Sequence, residues 1–104
     1  MLTFDNIQFD LGDVKFGSTK QQNVLLTNNT SEAIVIHSTG SSCSCTSGRM
    51  QSNPIEAYKT GIFQIFFDTT KTGRGAQIKS ITLTWVEGGQ QRNQAITFKV
   101  NVIN

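Results

Sequence analysis

Ile96-Thr97-Phe98-Lys99-Val100-Asn101-Val102 carries an apolar side chain at every second position, with polar residues between them. Period-two alternation is the mark of a strand with one face buried and the other in water. The pattern recurs upstream. Ile81, Leu83 and Trp85 alternate with Thr82 and Thr84, and Phe63, Ile65 and Phe67 share a face opposite Gln64. Ile34 and Ile36 flank Val35, Val24 and Leu26 precede Thr27-Asn28-Asn29-Thr30, and Ile7, Phe9 and Leu11 alternate with Gln8 and Asp10. Trp85, the sole tryptophan, is expected to anchor the core.

Turn formers separate these runs: Gly12-Asp13, Phe16-Gly17-Ser18, Asn28-Asn29, Asn53-Pro54, Lys71-Thr72-Gly73 and Glu87-Gly88-Gly89 among them. No window long enough for a helix shows apolar residues at helical spacing. The spacing therefore predicts an all-β fold, an immunoglobulin-like antiparallel β-sandwich of about seven strands. The chain has 104 residues, one domain's worth, so residues 1–104 are read as a single unit.

Composition narrows the function. Ser, Thr, Asn and Gln make up 39 of the 104 residues and charged residues only 15%. That opposes a coiled coil, and the supply of β-branched and aromatic residues opposes disorder. Nine bases and seven acids are scattered along the chain, whereas a nucleic-acid binder gathers its bases on one element. No stretch is long and apolar enough to make a membrane-spanning helix. Met1-Leu2-Thr3-Phe4-Asp5 lacks the basic and apolar regions of a secretory leader, so no signal peptide is expected.

Several apolar residues break the alternation: Leu25, Val35, Ile62, Phe66 and Val86 fall on faces assigned to solvent. Either a bulge shifts the register there, or an outer face is covered by a partner or another copy. Leu25, Val35, Ile62 and Phe66, with Lys71 and Arg74 of the basic glycine loop, are the candidate protein contacts. The segment Leu2 to Phe9 is a further candidate for pairing with a neighbouring chain.

Catalytic chemistry finds little to stand on. Cys43 and Cys45 are the only cysteines and His37 the only histidine. Cys-X-Cys is short of a four-ligand zinc pattern even with His37 as a third ligand, and extended geometry opposes a disulfide across so small a ring. The reading taken is two buried thiols in a reduced compartment, with metal and disulfide as the alternatives. Lys71-Thr72-Gly73-Arg74-Gly75 is not a phosphate loop, since that motif opens a helix. Asp68 and Glu56 read as surface charges, and Glu87 to Asn93 as a polar connection between the last two strands. The expectation is a non-enzyme with no catalytic residue, no cofactor and no metal.

The first half resembles a known family. Phe9-Asp10-Leu11-Gly12-Asp13-Val14 is followed by Phe16-Gly17, Val24-Leu25-Leu26-Thr27-Asn28, Ala33-Ile34-Val35-Ile36 and Cys43-Ser44-Cys45-Thr46. This is similar to a bacterial and phage family of immunoglobulin-like domains of unknown function. Members have a Phe-Gly start, an Asn closing the second strand and a Cys-Gly-Cys-Thr signature, and are kin to ASH, major sperm protein and pilus-chaperone sandwiches. Ser44 stands where the family has its middle glycine, and Ala57-Tyr58-Lys59-Thr60-Gly61 lacks the usual Pro-Gly. The resemblance implies a protein-binding or assembly module. With no signal peptide and little beyond the domain, the expectation is a bacteriophage virion component, a capsid decoration or tail protein, located in the virion or the producing cell's cytoplasm. Its expected partners are other virion proteins and possible further copies of itself, without nucleic acid, membrane or small-molecule substrate. The alternative is a cytoplasmic or envelope protein-binding module of the ASH and major sperm protein type.

Overall fold

The computed structural model describes residues 2–41 and 45–104. Their strands are β1 (Leu2–Phe4), β2 (Gln8–Lys15), β3 (Thr19–Asn28), β4 (Ile36–Ser41), β5 (Thr46–Met50), β6 (Thr60–Asp68), β7 (Gly75–Glu87) and β8 (Gln90–Ile103). They form two four-stranded sheets, ordered β1-β3-β6-β5 and β2-β8-β7-β4. The fold is the all-β immunoglobulin-like sandwich that the alternation predicts.

The core lies where the inner faces meet. Val24, Leu26, Phe63, Ile65 and Phe67 come from the first sheet, and Ile81, Leu83, Trp85, Ile96, Phe98, Val100 and Val102 from the second; all are buried. Phe67 and Phe98 meet edge to face across the sandwich, with ring centroids 5.6 Å apart. That is the favoured geometry for aromatic quadrupoles.

Eight strands stand in place of seven because the first one divides. Leu2–Phe4 pairs antiparallel with β3 in one sheet, whereas Gln8–Lys15 runs parallel to β8 in the other. Leu2 to Phe9 is therefore no single strand awaiting a neighbour. A register shift between Asp10 and Asp13 interrupts β2. There Gly12 takes a φ of 68° and its N–H is capped by Asp10 Oδ1 at 2.9 Å. Glycine adopts that left-handed conformation without steric cost. Ile7 is consequently exposed and Phe9 and Leu11 only half-buried, while Val14 reaches the core.

Glu87 to Asn93 is also not a loop. β7 and β8 stay in register out to Glu87–Gln90, joined by Gly88 and Gly89 at φ 59° and 78°. Two positive φ angles make the two-residue turn whose twist matches that of the flanking strands.

Glu87 fastens this hairpin to the first sheet. Its Oε1 accepts the Leu2 N–H at 3.0 Å and the Trp85 indole N–H at 3.3 Å. Burial pulls its carboxyl upward, but these donors, with the charge of Arg92, leave it below the ordinary glutamate value. A carboxylate held down in this way stabilises the fold above its unfolded pKa, and the benefit is lost as pH falls through the folded one. Glu87→Gln is expected to lower stability at neutral pH and to cost progressively less as the solution is acidified below the ordinary glutamate range. Urea midpoints of the two proteins across that range check this; a gap that stays constant would contradict it.

Among the described residues three buried polar side chains lie at strand ends: Asn28 closes β3, Thr69 sits in the 3-10 turn Thr69–Lys71 after β6, and Thr46 opens β5. Thr69 Oγ1 donates to the Ser18 carbonyl at 2.7 Å and accepts the Gly17 N–H at 2.8 Å. The β2–β3 turn and the crossing between sheets are thus held together at one end of the sandwich.

Candidate protein-contact surfaces

Three of the candidate contacts come together. Leu25 and Ile62 are direct cross-strand partners of β3 and β6, and Phe66 lies on the same outer face, opposite Gln21. The pairing between Thr19–Asp68 and Thr27–Thr60 runs without a shift, so these residues are not outward through a bulge. They stand on the outer face of the first sheet because that face alternates with the buried set Val24, Leu26, Phe63, Ile65 and Phe67. Leu25 is 42% exposed. Arg49 of β5 crosses the same face: its guanidinium lies 5.9 Å from the Phe66 ring centroid and its Nε donates to Gln64 Oε1 at 3.3 Å. At the opposite edge Asp5 brackets Leu25. Its N–H donates to the Leu25 carbonyl, and its Oδ1 accepts the Leu25 N–H at 3.0 Å.

Val35 is elsewhere. It adjoins the Ile36–Trp85 pair on the outer side of the second sheet, as does Val86; they are 45% and 52% exposed. Lys71 and Arg74 lie on the crossing from β6 to β7 at one end of the sandwich. Lys71 is exposed. Arg74 is engaged within the chain, its guanidinium 4.1 Å from the centroid of the Phe16 ring, a cation–π contact.

The sequence reading missed Ile78, which is 67% exposed on β7. It forms one wall of a shallow groove of about 680 Å³ with Ala76, Lys99, Asn101, Asp10 and Asp13. The alternation legible in the sequence begins at Ile81, whereas pairing of Ile78 with Lys99 of β8 carries the strand further toward its start. A smaller cleft of about 280 Å³ opens between β4 and β5, with His37 and Arg49 at its lining. Among the described residues no three His, Cys, Asp or Glu side chains are placed to hold a metal ion.

Cys45 corrects the expectation of a reduced thiol. It is buried, as expected, but it is disulfide-bonded. It sits in a turn just before β5, so the objection drawn from extended geometry does not apply to it. Cys43 lies outside the described residues. Cys45 is expected to resist iodoacetamide in denaturant until a reductant is added; peptide mass spectrometry finding it alkylated without reductant would contradict the bond.

Comparison with solved structures agrees with this architecture. The ASH / PapD-like domain of human CEP192 (PapD-like domain 7) superposes with a TM-score of 0.78 at 13% identity, covering 99% of this chain and 85% of that one. The VesB protease of Vibrio cholerae matches with a TM-score of 0.72 at 14% identity, over 96% of this chain and 31% of that one. The secreted serine protease VesC of the same organism gives 0.59 at 12% identity, over 91% and 22%. The chain thus spans under a third of either protease, and at these identities the likeness is one of fold. No curated protein matches the sequence. The sandwich is PapD-like, and the family model described as "Protein of unknown function (DUF1573)" matches residues 2–102: the chain belongs to that family.

Proposed function

We propose that this domain is a non-catalytic protein-binding module of the ASH type, docking its partner on the outer face of the first sheet. The observation that carries the reading is the apolar group Leu25, Ile62 and Phe66, set in one shift-free register on the outer face of the first sheet, Leu25 exposed and Ile62 and Phe66 half-buried. Leu25 and Ile62 adjoin, and Phe66 lies two rows along the same face beyond Gln64; apolar side chains framed by polar ones on a sheet face are what a protein interface uses. The fold likeness to the CEP192 domain, an ASH / PapD-like domain, supports this binding-module reading over a virion component.

The test compares the wild-type chain with Ile62→Lys, both immobilised, in extracts of the source. A defined protein retained by the first and lost by the second, with the melting temperatures equal, is the expected result. Identical retention by both would overturn the reading.

A further inference from the structure

We propose that a partner of this face is a second copy of the chain, in a two-fold dimer whose axis runs along the strands. The dimer packs Leu25, Ile62 and Phe66 centrally and sets Arg49 of each copy against Asp5 of the other. The proposal rests on the reading of that face as a contact surface.

The argument is one of charge placement. Strand order in the first sheet is β1-β3-β6-β5, so Asp5, just past β1, and Arg49, on β5, stand at opposite rims. Asp5 lies beside the Leu25–Ile62 pair, and Arg49 is the partner of Gln64 in the next row outward on the same face, which also holds Asn23. Between the rims that row and the next, Gln21–Phe66–Ser47, are uncharged. A contact confined to these rows buries no unpaired charge on its central strands; Asp68, in the row beyond them, must stay at its margin.

A symmetric interface meets its own image. With the axis across the strands, each rim lies over itself, so Asp5 faces Asp5 and Arg49 faces Arg49. Like charges so juxtaposed are costly. With the axis along the strands, the β1 rim lies over the β5 rim, and the acid of each copy meets the base of the other twice. The offset between their rows is about 7 Å, two residues along a strand, which an arginine side chain spans. Asp5 is anchored by the Leu25 N–H, whereas Arg49, drawn toward Phe66 in the row farther from Asp5, must swing back across its own row to pair with it. Four strands about 4.8 Å apart offer roughly 500 Å² per copy, at the low end for specific interfaces, so a micromolar dimer is expected.

Sedimentation equilibrium from low to high micromolar concentration tests this. The wild-type chain is expected to dimerise reversibly, and Ile62→Lys to stay monomeric with an unchanged melting temperature. Arg49→Glu and Asp5→Lys should each weaken association about tenfold or more, and the two together should recover it. A wild-type monomer throughout the range would overturn the proposal. So would a dimer indifferent to Ile62→Lys, or a folded double reversal that recovers nothing. A monomer that still captures a partner through Ile62 sinks the dimer alone; a chain in which Ile62→Lys alters neither readout sinks the protein-contact reading as well.

Discussion

Asn28→Ala is expected to lower the stability of the domain by about 3–4 kcal/mol, a fall in melting temperature of roughly 15–25 °C. Asn28 is fully buried at the end of β3. Its Nδ2 donates to the carbonyls of Glu32, Ile55 and Glu56 at 2.7, 3.0 and 3.2 Å. Its Oδ1 accepts the Thr30 N–H at 3.0 Å and the Thr30 hydroxyl at 2.6 Å. One side chain therefore satisfies backbone groups of two separate connections, the one leaving β3 and the one entering β6. Alanine would take one donor from each of those carbonyls, which keep the Thr30 hydroxyl, the Ile34 N–H and the Lys59 N–H respectively, so the cost is that of five lost hydrogen bonds at about 0.5–1.5 kcal/mol each. Asn29→Ala is the control. Asn29 is exposed and its side chain reaches only the Thr3 hydroxyl, at 3.2 Å, so its loss should stay within about 0.5 kcal/mol. Thermal melts of the two variants that agree within a few degrees would refute the account of Asn28.

The second large effect is in the core. Phe63→Ala should cost about 3–5 kcal/mol, because Phe63 is fully buried in the first sheet and a cavity would remain. Gly48 on β5 is bound to the same ring. A Cβ added there would sit 2.3 Å from Phe63 Cζ and 2.9 Å from Ile81 Cδ1, closer than packed atoms allow. Gly48→Ala should thus cost about 1–3 kcal/mol by overpacking. The two losses should not add. Removal of the ring makes room for the new methyl, and the double variant should be measurably more stable than the sum of the singles implies. Urea unfolding of all four proteins reads the coupling; strict additivity would mean that the ring and the glycine are not in contact.

Most of the sandwich is legible in the sequence, since buried and exposed positions simply alternate along β3, β6, β7 and β8. What escapes the pattern has identifiable causes. The divided first strand depends on a bulge at Asp10–Asp13, and a bulge erases the very periodicity that would announce it. The polar run at Gln90–Asn93 carries no core residue, so only the Gly88-Gly89 turn signals that it is strand. Asn28 reads as a turn residue, and nothing local shows that Ile55 and Glu56 will arrive beside it from the other connection. Of the candidate contacts, Leu25, Ile62 and Phe66 are found together because a residue that breaks alternation on an unshifted strand must face outward. Val35 breaks it too, but on the other sheet, and strand pairing alone separates the two groups.

The parallel pairing of β2 with β8 bears on how the chain reaches this structure. Val14 and Val102 are register partners although nearly the whole sequence lies between them. Closing so long a loop costs entropy before any contact repays it, and topologies dominated by distant pairings fold on the millisecond-to-second scale. During synthesis β2 has no edge to join until the residues of β8 have left the ribosome. The second sheet must therefore close late, and a chain halted before Phe98 would leave β2 without its partner and the inner face of the first sheet incompletely covered, a state in which aggregation competes with completion.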